Sequence, residues 1–204
     1  VLQQAQAAYI VHLSYYSIYY LTAKLWVMNN LIEMRKYFES GITKPYDFRK
    51  EQLKKLQAAV KKYENQLHEA LHADLKKSPE ECWVTETGFL LAEVSNILKH
   101  LKNWMQPEMV STNLLNMPSR SFVLQEPLGV VLIISPWNYP FQLLMTPLAG
   151  AMAAGNCVVL KSSEFAPATS AVMKQMIEEN FDKNYIQFVE GDGALVIPEM
   201  MNNF

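Results

Sequence analysis

Two short loops carry residue types able to do chemistry. In Ser135-Pro136-Trp137-Asn138-Tyr139-Pro140 a neutral amide, Asn138, stands between two prolines that restrict the backbone on either side. An amide held rigidly at the end of a strand can donate a hydrogen bond to an oxygen gaining negative charge. The competing reading is an Asx-type turn residue that satisfies its own backbone, and on these residues alone the turn is favoured. The second loop is Lys161-Ser162-Ser163-Glu164, with a cation and a carboxylate three residues apart. Both are good hydroxyl partners and could hold a nucleotide ribose. The competing reading, again favoured on the residues alone, is a solvated charge pair.

Other reactive residue types are less informative. Cys157 sits inside an apolar run and Cys82 near a helix start, so both read as packing residues; a reactive thiol needs an electropositive, partly open site. His68 and His72 are i, i+4, but no third ligand is spaced to join them, and no metal is expected. No G-x-G-x-x-G follows Ile134, so the usual dinucleotide fingerprint is absent and any cofactor must be held differently.

The elements that must position these loops follow from periodicity. Leu53, Leu56, Val60, Tyr63, Leu67, Leu71 and Leu75 recur every three or four residues, predicting an amphipathic helix over 47–75. Ser78-Pro79-Glu80-Glu81 opens a second helix with a capping box, running to about Met105 before Pro107. Residues 121–125 alternate as a strand lying away from the main sheet. Val130 to Ile134 is a continuous apolar run, the mark of a parallel strand covered on both faces. A helix over 141–154 ends at Gly155. A strand over 157–160, a helix over 167–180, a strand over 186–189 and a helix from about Ala194 complete a β-α-β-α-β pattern. Such a unit binds ligands at the carboxyl ends of its strands.

Composition bounds the rest. The chain has 204 residues, 50% apolar and 19% charged, enough to bury a core. A net charge of −2 gives no footprint for nucleic acid. Two cysteines without disulfide spacing fit a reducing, cytoplasmic setting. The first residue is Val1, and 1–23 lack any Asp, Glu, Lys or Arg, long enough to cross a bilayer. Yet Gln3, Gln4, Gln6, His12 and Ser14 interrupt it and no basic segment precedes it, so an appended leader before Met28 is expected rather than a membrane anchor. Met200, Met201 and Phe204 end the chain without a polar tail, which suggests truncation.

The segment Gly129-Val130-Val131-Leu132-Ile133-Ile134-Ser135-Pro136-Trp137-Asn138-Tyr139-Pro140-Phe141, with Pro147-Leu148-Ala149 and Gly155-Asn156-Cys157-Val158-Val159-Leu160-Lys161, resembles the aldehyde dehydrogenase superfamily. The P-W-N-[FY]-P pentapeptide and the Lys-x-Ser-Glu that follows it are highly specific. Upstream, 35–44 and 49–53 look like the start of the class 3, fatty- and aromatic-aldehyde branch. The resemblance covers about 29–204 and leaves 1–27 unmatched.

The resemblance implies an α/β protein: N-terminal helices over 28–120, then an incomplete Rossmann-like parallel cofactor-binding unit over 121–204. It implies oxidation of an aldehyde to a carboxylate with NAD or NADP. Asn138 matches the amide that stabilises the thiohemiacetal oxyanion. Lys161 and Glu164 match the residues holding the adenosine ribose, and the backbone at Ile134, Pro136 and Trp137 lies beside the nicotinamide half. Ser162 stands where a proline is common, with little damage expected because the backbone shapes that loop. The family's nucleophilic cysteine, its general-base glutamate and its Phe-Thr-Gly-Ser turn find no match here, so the chain by itself is expected to be inactive. The complete enzyme is expected to be a homodimer. The alternatives are a nucleotide-binding module or pseudoenzyme, an acyl-phosphate reductase of the same fold, and a membrane-anchored protein. An apolar first strand left with an open edge predicts that the isolated chain is aggregation-prone or molten, with helical signal retained from 47–105.

Overall fold

The structure, a computed structural model, describes residues 30–204; the leader expected over 1–27 lies outside them. Residues 30–39 form a helix, α1. Pro45 precedes α2 (Tyr46–Leu75), whose stripe of Leu53, Leu56, Val60, Tyr63, Leu67 and Leu71 is buried as its spacing requires. Lys76 ends it in the left-handed region, with its N–H on the His72 carbonyl.

The second helical segment is not the single helix its pattern predicts. Ser78 Oγ accepts from the Glu81 N–H at 3.2 Å and starts α3 (Pro79–Cys82). A π turn over Trp83–Thr87 then intervenes before α4 (Gly88–Trp104). The Gly88 N–H reaches the Trp83 carbonyl, five residues back. A Cβ on Gly88 would sit 2.6 Å from that oxygen, so only glycine permits the contact. The wide turn rotates both Glu86 and Thr87 into the interior.

Beyond it, β1 (Glu108–Val110) pairs antiparallel with β2 (Ser121–Val123) as a separate ribbon. The predicted strand over 121–125 is thus shorter but, as expected, away from the main sheet. The parallel sheet holds β3 (Val130–Ile134), β4 (Cys157–Lys161) and β5 (Ile186–Val189) in that spatial order. Helices α5 (Gln142–Ala154) and α6 (Pro167–Asn180) make the crossovers, and α7 (Gly193–Met201) follows β5. The long α2 lies across α5 and α6, and α4 packs on α5. Val159 and Gln187, on the alternate side of their strands from Val158 and Ile186, meet Leu31 and Met34 of α1 and Met200 of α7. Helices therefore cover both faces.

One expectation about the sheet is corrected. Strands β4 and β5 are buried along their whole length, but β3 is only half-buried and Ile134 is exposed. The run Val130–Ile134 is apolar enough for two covered faces, yet it lies at the sheet edge among the described residues and lacks a neighbour on one side. Its open edge is the one the sequence predicts.

Candidate functional site

The two loops singled out by residue type begin side by side. Ile134 and Lys161 are register partners at the carboxyl ends of β3 and β4, and the Ser135 N–H donates to the Lys161 carbonyl at 3.1 Å. From there they differ in environment.

In the first loop Pro136, Trp137, Asn138 and Tyr139 are exposed, with Trp137 at 53%. The Asn138 amide has no hydrogen-bond partner among the described residues, its own backbone included. The amide is free to donate outward. Ser135 is buried, and its hydroxyl is likewise without a partner among the described residues.

The second loop is built inward. Lys161 is 1% exposed, so it is no solvated ion. Its Nζ donates to the Ser162 carbonyl and, at 3.3 Å, to Glu164 Oε2. Glu164, with its side chain 35% exposed, is the member that faces outward. Its Oε1 accepts from the Gly193 N–H, the start of α7, at 2.9 Å. The hydrogen bond from its own backbone N–H, then that of Gly193 and the Lys161 charge, hold its carboxyl below the usual range against the desolvation that opposes them. Ser162 turns its hydroxyl 2.6 Å from Ser170 Oγ of α6, a buried contact that a proline could not make.

Each loop runs into the N-terminus of a crossover helix, and each N-terminus is held by an acid from the helical layer. Asp74 of α2 accepts from the Thr169 N–H at 2.7 Å, the Thr169 hydroxyl at 2.8 Å and the Ala168 N–H at 3.2 Å. Glu86 of the π turn accepts from the Gln142 N–H at 2.8 Å. Helix N-termini expose unpaired N–H groups and favour negative charge. Sequence reasoning missed both acids. The signal was available: Glu86 continues the apolar stripe Leu90, Val94, Ile97 and Leu101, and Asp74 continues Leu67 and Leu71. An acid on a stripe that must be buried calls for a partner.

The cysteines do not join the site. Cys157 is buried and its thiol is pushed up to about 12 by burial, with Asp182 adding to it. Burial, then the Glu86 charge, also raises Cys82. In both, burial disfavours the thiolate. His68 and His72 are spent on the helical layer, with His68 Nε2 3.0 Å from Thr87 Oγ1 and His72 Nδ1 3.1 Å from the Lys77 carbonyl. Among the described residues no helix is long and apolar enough to cross a membrane.

Comparison with known proteins bears on the family and the fold. The model of the aldehyde dehydrogenase family matches residues 29–204. The chain is 47% identical over 167 residues to 4,4'-diaponeurosporen-aldehyde dehydrogenase of Staphylococcus aureus, covering 79% of this chain and 36% of that protein. It is 44% identical over 163 residues to aldehyde dehydrogenase family 3 member H1 of Arabidopsis thaliana, covering 80% and 34%. Among solved structures, the substrate-bound state of Staphylococcus aureus AldH superposes with a TM-score of 0.81 at 43% identity, over 86% of this chain and 38% of that one. A Staphylococcus aureus betaine aldehyde dehydrogenase variant in complex with NAD+ superposes at 0.71 with 27% identity, over 84% and 34%. The chain thus spans about a third of the length of the curated relatives it matches.

Proposed function

We propose, from the premise that this chain belongs to the aldehyde dehydrogenase family and resembles its class 3 branch, that it forms the cofactor-binding part of an enzyme that oxidises an aldehyde to a carboxylate with NAD or NADP. The observation that carries the proposal is the contrast within the site. One loop offers an exposed amide with no partner among the described residues, and the adjacent loop offers an exposed carboxylate braced by a buried ammonium.

The residues fit a dinucleotide. Glu164 keeps an open flank after bonding to Gly193 and Lys161, and a carboxylate suits a pair of ribose hydroxyls. Lys161 is too buried to share that contact fully and acts from behind, fixing the carboxylate. The unpartnered hydroxyl of Ser135, between the two loops, leaves a further polar contact open. Ile134, Pro136 and Trp137 form the exposed wall beside the nicotinamide half. The cofactor, when bound, supplies the hydride acceptor. Asn138 donates to the oxyanion that forms when a thiolate adds to the aldehyde carbonyl. Neither Cys157 nor Cys82 is read as the source of that thiolate, so the 204-residue chain alone is expected to form no reduced cofactor.

The division is read as a helical region over 28–120 and a cofactor-binding part over 121–204, with the β1–β2 ribbon straddling it. The complete enzyme is read as a cytoplasmic homodimer. The direct test is to follow reduced cofactor with a panel of aldehydes in the complete protein. Turnover with NAD or NADP supports the reading. Cofactor binding with no turnover on any aldehyde would favour a binding module.

A further inference from the structure

The Asn138 loop is held from outside itself, and the residues that hold it lie in the helical layer. Resting on the function proposed above, we infer that Lys77 and Glu86 are positioning residues that aim the Asn138 amide. Lys77 Nζ lies 2.5 Å from Glu86 Oε1, and the pair is nearly sealed from water, with side chains 8% and 0% exposed. Each partner then reaches the loop by a second contact. Glu86 Oε2 accepts from the Gln142 N–H at 2.8 Å, four residues beyond Asn138. Lys77 Nζ stands 3.9 Å from the centroid of the Tyr139 ring, immediately after Asn138.

Stability alone is a poor reason for this pair. A buried ion pair is often no better than well-packed apolar residues of the same volume, because desolvation offsets the attraction. What an apolar pair could not do is bind a backbone N–H and an aromatic face at once. With the Ser135 N–H on the Lys161 carbonyl, the loop is anchored before, beside and after Asn138, while Asn138 itself bonds to nothing among the described residues. An amide that must meet an oxyanion needs its carrier fixed to about half an ångström, which anchors of this kind provide. The π turn is the device that delivers Glu86, because it turns Glu86 and Thr87 inward together and is permitted by the bare Cα of Gly88.

The test uses the complete protein with Glu86→Gln, Lys77→Met and the conservative Lys77→Arg, reading kcat and KM together with amide hydrogen exchange over 137–144 and 161–166. A misaimed amide lowers kcat by about 10- to 100-fold in Glu86→Gln and Lys77→Met, as small misplacements of a reacting group do. KM for the cofactor stays near wild type, exchange quickens over 137–144 only, and Lys77→Arg recovers most of the rate. Two folded variants with kcat within about twofold of wild type would overturn the inference. If both fail to fold, Tyr139→Leu decides at the surface: it should lower kcat where Tyr139→Phe does not, and equal rates in the two would overturn it. If the unsubstituted protein turns over no aldehyde, the functional reading fails on its own. The exchange pattern then decides the positioning, since unchanged exchange over 137–144 in every variant contradicts it.

Discussion

The two loops at the carboxyl ends of β3 and β4 are neighbours built on opposite plans. The loop after β4 is integrated: Lys161, Ser162 and Ser163 are buried, and Glu164 ties it to the start of α7. The loop after β3 leaves its central side chains in the open, and only its ends and the Tyr139 ring are tethered. A loop that holds a cofactor gains from being part of the core, because binding then requires no ordering. A loop that meets a charge developing during reaction must keep its donor unpaired until that charge appears. Under the proposed function, the difference corresponds to binding at 161–164 and chemistry at 135–140.

That assignment can be broken most sharply at Asn138. In the complete enzyme Asn138→Ala should cost about 3–4 kcal/mol at the transition state. Steady-state kinetics should show kcat lowered by roughly a hundred- to a thousandfold, with cofactor affinity unchanged. A turnover within about threefold of wild type would return Asn138 to the role of a turn residue. Glu164→Gln should do the reverse. Losing a charged hydrogen-bond acceptor costs about 1.5–3 kcal/mol, so NAD binding should weaken by at least about tenfold by calorimetry. The preference should move toward NADP, whose 2′-phosphate the carboxylate repels. An unchanged preference would count against the ribose contact.

A smaller effect should follow from the tether of the cofactor loop. Asp74→Ala removes the acceptor for two N–H groups and a hydroxyl at the start of α6. It should lower stability by about 1 kcal/mol and weaken the cofactor by less than about tenfold, sparing kcat. A loss confined to kcat would show that the tethers do not divide as the loops do.

The smallest expected effect is that of acid. The folded pKa of Glu164 lies below its ordinary value, so its contribution is fully present above the ordinary carboxylate pKa and is lost only as pH falls through the lower, folded value. Cofactor affinity should stay flat from about pH 8 down to about pH 5 in a binding titration. A decline with a midpoint near neutrality would assign the ribose contact to another group.

Much of this frame was legible in sequence because it is local. The Val158–Leu160 and Ile186–Val189 runs, Gly155 ending α5 and the Ser78 cap each depend on a few adjacent residues, and each appears as read. What was not legible depends on partners far along the chain. Glu86 meets Gln142 across 56 residues, and Asp74 meets Thr169 across 95. The π turn rests on a contact between Gly88 and Trp83 that helical periodicity does not encode. The burial of Lys161 and the exposure of β3 depend on where the sheet has neighbours, which a single run of apolar residues leaves open. That the Asn138 amide stands exposed and without a partner among the described residues needed the fold.

The division of labour between the two loops is tested most directly by a crossed measurement in the complete protein. The kcat on an aldehyde and the dissociation constant for NAD are determined side by side for Asn138→Ala and Glu164→Gln. The account predicts that the first variant loses kcat and keeps its affinity for NAD, while the second loses affinity and keeps kcat at saturating cofactor. Loss of the same quantity in both variants would contradict it, because the two loops would then act as one binding surface.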